Sequence, residues 1–118
     1  MTDTLEAWAR AYVETAELEA KFDARMPARL DEDARPVRLA RPGRPAAIRV
    51  ARSAPKTPGP EALRAPAKRA QLVHAFLHHE LQAAELMAWA LLAFADAPPA
   101  FRRGLARIAA DEIRHMHL

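Results

Sequence analysis

The sequence predicts an all-α chain: an antiparallel helical hairpin at residues 66–118, preceded by an N-terminal amphipathic helix at 1–25 and an extended Pro/Arg-rich connector at 26–65. Three observations lead there. Ala and Leu supply most of the apolar content while glycine is cut to three residues, a balance that favours helices over sheets. Eight of the ten prolines lie between Met26 and Pro66, so helix is confined to the flanks of that segment. On both flanks, apolar residues return at helical spacing.

The composition also narrows the class of protein. With 118 residues, 51% apolar and 28% charged, the chain is one domain or less of a soluble globular protein. It has no cysteine, so neither a disulfide framework nor a thiolate metal site is available, and a cytoplasmic location is expected. MTDTLEAWARAY lacks the basic start and apolar segment of a signal peptide. His, Glu and Gln interrupt every long apolar run, so no membrane partner is expected. A net charge of +3 is too mild to imply DNA binding.

The N-terminal helix runs from residue 3 to about 23. Leu5, Trp8, Tyr12, Ala16 and Phe22 gather on one side, and Asp3 with Glu6 resembles a capping box. In the connector no apolar period survives, apart from a strand-like AAIRVA. Arg35, Arg38, Arg41 and Arg44 follow one another at intervals of three, the period of a polyproline II helix. They would line one edge able to track phosphates, or belong to an arm that wraps the body and pairs with its acidic groups.

Pro66 suits a first helical position, and the pattern then runs unbroken to Phe94. ADAPPA makes a turn, and Pro98 or Pro99 opens the last helix. That helix is still periodic at Leu118, without a glycine cap, which predicts an N-terminal fragment of a longer protein.

The apolar stripes of the hairpin contain carboxylates. On a helical wheel, Val73, Phe76, Leu77, Ala84, Met87, Leu91 and Phe94 fall within about 60° of Glu80, whereas Glu85 lies about 140° away beside His74, His78 and Trp89. On the last helix Phe101, Leu105, Ile108, Ala109 and Met116 surround Glu112, and His115 shares that face. Counted from Ala97, Glu80 is 17 residues back, and Glu112 and His115 are 15 and 18 forward, so the three meet at one level. Two carboxylates and an imidazole in an apolar seam point to a hard cation such as iron or manganese. An ion pair to Arg or His remains the alternative for a buried Glu.

The same residues resemble the ferritin-like superfamily, whose four-helix bundles hold a di-iron or di-manganese pair between one Glu from each of two helices and one Glu-x-x-His from each of the other two. Glu80 matches a lone Glu, and Glu112 with His115 matches one Glu-x-x-His. More closely, HHELQAAELMAWALLAF, DAPPAFRRGL and DEIRHM resemble a bacterial ferritin-like family of unassigned function, distantly similar to tRNA-modifying di-iron hydroxylases. The resemblance spans about Lys68 to Met116, and more loosely LEAWARAYV and the PGRP and APK pieces. It implies that the hairpin is half of a ferritin-like bundle, that Glu80, Glu112 and His115 are metal ligands, and that the family's activity is O2-dependent oxidation or hydroxylation. It leaves the substrate, small molecule or tRNA, open. No second Glu-x-x-His occurs in the chain, so the resemblance implies that the missing ligands lie beyond Leu118 in a longer protein, with self-association of two half-bundles as the other route to a complete site.

Two other classes compete with a di-iron oxidoreductase. A metal-free helical interaction module would use the apolar seam to hold a partner. A basic RNA-associated protein would use the Arg35–Arg44 edge. His79, Asp111 and Arg114 are candidates to support the metal ligands. A zinc site at His74 and His78 with Glu85 is a minor alternative to packing that face on the N-terminal helix.

Overall fold

The computed structural model describes residues 3–48, 56 and 58–118. The chain is all-α, and among the described residues there is no strand. Its helices are α1 (Leu5–Glu14), α2 (Leu18–Lys21), α3 (Pro66–Ala93) and α4 (Pro99–His115), with a 3-10 turn at Pro60–Arg64 before α3. Pro66 and Pro99 each occupy the first turn of their helix, where a missing N–H costs nothing. The antiparallel α3–α4 hairpin is therefore as the sequence predicts. Among the described residues no helix is long and apolar enough to cross a membrane.

The N-terminal segment departs from the expected single helix. Thr4, not Asp3, is the N-cap of α1: its Oγ1 accepts the Ala7 N–H at 3.2 Å. Glu6 is thereby released from capping and turns inward. The helix ends at Glu14 because its last carbonyls are taken by other donors. The Lys21 ammonium donates to the carbonyls of Tyr12 (2.6 Å) and Val13 (3.1 Å), and the Gly43 N–H also donates to Val13 (2.7 Å). The Glu17 N–H, which would have closed the next turn, donates instead to Thr15 Oγ1. A glycine is required at 43: a Cβ there would stand 2.0 Å from the Glu14 carbonyl oxygen.

Residues 24–44 form a strap that is bound along the helices, not an open polyproline edge. Arg29 carbonyl accepts the Leu5 N–H, Val37 N–H donates to the Leu92 carbonyl, and Trp89 Nε1 donates to the Leu39 carbonyl at 2.8 Å. Leu30, Val37 and Leu39 pack on the core. Arg35, Arg38 and Arg41 stay exposed, but Arg44 turns inward, so the expected four-arginine edge is broken. Of AAIRVA, residues 46–48 are turn and bend, and the remainder lies outside the described residues.

The core joins Leu5, Trp8, Ala9, Tyr12 and Val13 of α1 to Ala84, Ala88, Leu91 and Leu92 of α3 and to Leu105, Ala106, Ala109 and Ile113 of α4. Both hairpin helices are rotated from the expected orientation. Among the residues buried on α3, Leu81, Ala84, Glu85, Ala88, Leu91 and Leu92 centre roughly a quarter turn from Glu80, with only Ala90 and Ala93 on the other side. Those on α4 (Arg102, Leu105, Ala106, Ala109, Ala110, Ile113) are displaced from Glu112 by a similar amount. Phe76, Phe94, Phe101 and Ile108, expected in the seam, are exposed. The physical reason is close packing. Alanines at 84, 88 and 109, all 0% exposed, let three helices approach one another, which a Phe-lined face does not allow.

Candidate metal centre and the buried ion cluster

Glu80, Glu112 and His115 converge where the end of α4 meets the middle of α3. One ligand atom from each lies within 4.8 Å of the other two, the one such group of three or more among the described residues. His115 Nδ1 is 3.4 Å from Glu80 Oε2 and 3.6 Å from Glu112 Oε2. The end of α4 is held in place by His117, whose Nε2 lies 2.6 Å from the Phe22 carbonyl and whose ring stands edge-on to Phe22.

The sequence placed these residues in a closed seam; the structure puts them on its open rim. Glu80 is a third exposed, Glu112 less and His115 half. They are thus accessible to an ion. Donor atoms bound to one metal at ~2.1 Å lie about 3–4 Å apart, so both imidazole-to-carboxylate distances already fit a shared ion and only small side-chain movement is required. The donor set, two oxygens and one nitrogen, suits iron or manganese. Asp111 and Arg114 bond to each other at 2.8 Å on the exposed side of α4, and His79 is also exposed.

The deeply buried charge is a different glutamate. Glu85 is 5% exposed. Its Oε2 accepts from Lys21 Nζ at 2.9 Å, and the Arg44 guanidinium donates to both carboxylate oxygens. Lys21 is 1% exposed, and its ammonium has three acceptors: Glu85 and the carbonyls of Tyr12 and Val13. Tyr12 Oη in turn donates to the Lys21 carbonyl at 2.7 Å. Burial pushes the Lys21 pKa down from its ordinary value, with Glu85 opposing. Burial, then the Glu85 charge, pushes the Tyr12 phenol up. Burial followed by the Arg44 charge holds the His78 imidazole below its usual value. No described residue has a buried side-chain N or O without a hydrogen-bond partner.

The zinc alternative is not assembled here: Glu85 is already engaged by two cations, and among the described residues His74, His78 and Glu85 do not form a group of three potential ligands within reach of one ion. The face carrying Trp89 and Leu92 is covered by the strap as well as by α1. A second buried pair, Arg102 Nη1 to Glu6 Oε1 at 2.9 Å, was likewise not anticipated. Glu6 Oε2 also accepts the Asp31 N–H, and Arg102 Nε donates to the Ala97 carbonyl, so this pair ties α1, the strap and the hairpin turn together. The signal available in the sequence was slight. A Lys or Arg lay in each segment facing these glutamates, but only the tertiary path selects which one.

A family model described as "Protein of unknown function (DUF455)" matches residues 2–118. The chain belongs to that family. Among the curated proteins and the solved structures, none matches.

Proposed function

We propose that this member of the family is a metal-binding carboxylate protein of the ferritin-like type, in which Glu80, Glu112 and His115 supply half of a di-iron or di-manganese site. The observation that carries the reading is the meeting of two carboxylates and an imidazole from two helices with no Lys or Arg bonded to either carboxylate among the described residues. Elsewhere in the chain, buried carboxylates are matched by cationic side chains: Glu85 by Lys21 and Arg44, Glu6 by Arg102. At the rim that counter-charge is left to an ion.

A bound metal pair would supply electrons and open coordination positions for O2, the basis of an oxidase or hydroxylase activity on a substrate still to be found. The chain's own contribution is positional. Glu80 is held by the long α3, while Glu112 and His115 are held one turn apart on α4, whose end is pinned at Phe22. Partial exposure leaves room beside the carboxylates for a further ligand.

The test is equilibrium binding of Fe(II) under anaerobic conditions and of Mn(II), with wild type and Glu112→Ala. Saturable binding weakened at least about tenfold by the substitution supports the reading. Equal binding by both proteins overturns it.

One observation favours a second reading. Val73 and Phe76 on α3 and Phe101 and Ile108 on α4 are all about half exposed or more, as a metal-free module that docks a partner would require. Its prediction is association indifferent to metal. RNA association retains only Arg35, Arg38 and Arg41 of its expected edge, and predicts binding that weakens steeply with salt.

A further inference from the structure

We infer that the groove between the first residues of the strap and the back of α4 binds a small organic carboxylate. Arg107, with Arg25 and Arg114, holds its head group, and its apolar body lies along the alanines of α4. This site stands apart from the metal reading. Ala106, Arg107, Ala110 and Arg114 all lie about 120° or more from Glu112 on the helical wheel, so α4 itself separates the two.

The first argument is why a groove exists. The strap is tied to α4 at two points: His117 Nε2 lies 2.6 Å from the Phe22 carbonyl, and Arg103 Nη1 donates to the Ala28 carbonyl at 2.6 Å. These ties set the strap antiparallel to α4. From Arg103 to His117 the helix rises about 21 Å, close to the greatest span of about 20 Å that the chain from Phe22 to Ala28 can reach. No turn or bend occurs from residue 23 to 30, so the strap has little slack with which to close on the helix. Where the two run side by side, Ala24, Ala106 and Ala110 are too short to fill the space between them. A groove of about 540 Å3 is left, within the range of small-molecule sites.

The second argument is charge. Three guanidiniums line the groove, and two of them have carboxylate partners: Arg25 pairs with Asp23 and Arg114 with Asp111. Arg107 bonds to no carboxylate among the described residues. Three cations against two anions leave one positive charge, which a monoanion cancels. A guanidinium fork grips a carboxylate through two parallel N–H···O bonds. Both existing pairs are largely exposed and therefore weak, so Arg25 and Arg114 can turn to a ligand at little cost. A dianionic head group would bring surplus negative charge beside Asp23 and Asp111.

The third argument is the lining. Ala24, Met26, Ala106 and Ala110 offer apolar surface, and the flexible Met26 side chain can adapt to what lies against it. Apolar walls with a few convergent polar groups fit an acid with a narrow aliphatic body, not a sugar or an inorganic ion.

The experiment titrates octanoate into the 15N-labelled full chain and follows the amide shifts, with 1-octanol and octyl phosphate in parallel. Arg107→Gln removes the guanidinium that has no carboxylate partner. Arg38→Gln, on the strap but outside the groove, is the control. Both residues are exposed, so the fold should survive, as circular dichroism will check. The expected result is saturable octanoate binding with shifts at Ala24, Met26, Ala106 and Ala110. Arg107→Gln should weaken it at least about tenfold and Arg38→Gln should leave it unchanged, while octanol binds at least about tenfold more weakly than octanoate. Equal octanoate binding by Arg107→Gln, or shifts centred on Phe76 and Phe101 instead, overturns the site. Octanol bound as tightly as octanoate overturns the recognition of an anion. Octyl phosphate bound more tightly than octanoate overturns the choice of a carboxylate. No saturable binding of any of the three overturns the groove as a binding site.

Discussion

Glu80 and Glu85 sit five residues apart on one helix, and the chain treats them in opposite ways. Glu85 is sealed in the core with a lysine from α2 and an arginine from the strap. Glu80 is at the rim, beside another carboxylate and a histidine. The first arrangement is electrostatically complete, since each carboxylate oxygen and each ammonium proton has a partner. The second carries negative charge that an imidazole alone does not balance. A buried carboxylate with cations around it holds structure together; an accessible one grouped with further anionic donors is equipped to take up an ion.

The largest test of this contrast is Glu85→Ala. It leaves Lys21 and Arg44 buried without their counter-charge, and should cost about 3–5 kcal/mol in urea or thermal unfolding. The strap should become a site of rapid proteolysis at the same time, because Arg44 anchors it. A loss below about 1 kcal/mol would mean that water reaches the cluster and that the two glutamates do not differ in kind.

Gly43→Ala tests the same anchor through the backbone. The added methyl would meet the Glu14 carbonyl, so either the strap or the end of α1 must move, and a cost of about 1–3 kcal/mol is expected from denaturant midpoints. An unchanged midpoint would mean that the strap is not held against α1.

Acid sharpens the comparison further. The His78 pKa is depressed in the folded chain, so the unfolded chain binds the proton more readily. That contribution to stability is complete above about pH 6.5 and is lost as pH falls through the lower folded value. Comparing wild type with His78→Gln should show the variant losing less stability between neutral pH and pH 5. Equal losses would mean that neither burial nor the Arg44 charge depresses the His78 pKa.

The smallest stability effect belongs to Glu80→Gln. Without metal it should change stability by no more than about 0.5 kcal/mol, since the side chain is partly solvated and its neighbour is another acid. Its effect should appear in Mn(II) affinity instead. Destabilisation as large as that of Glu85→Ala would erase the distinction between the two sites.

Much of the hairpin was readable in the sequence, including the level along the helices at which Glu80, Glu112 and His115 meet. Pro66 and Pro99 mark helix starts by chemistry local to the first turn, and counting outward from Ala97 needs only the helical rise. Glu85 was misjudged for an equally physical reason. Residues 81–93 of α3 are apolar almost all the way round, so periodicity does not say which side will be covered. The more conspicuous Phe and Val residues marked the wrong one.

By itself, then, the sequence determined the two hairpin helices, the antiparallel turn and the axial meeting of Glu80, Glu112 and His115, because each depends on propensity or spacing within a few turns. Only the tertiary structure decided which helix faces are buried, that the connector is a strap, and that Glu85 is enclosed by two cations. Those outcomes depend on groups 41 and 64 residues distant in the chain, Arg44 and Lys21, and on alanines that let the backbones come close. Long-range charge pairing leaves no periodic trace, and close packing selects small side chains over the largest apolar ones.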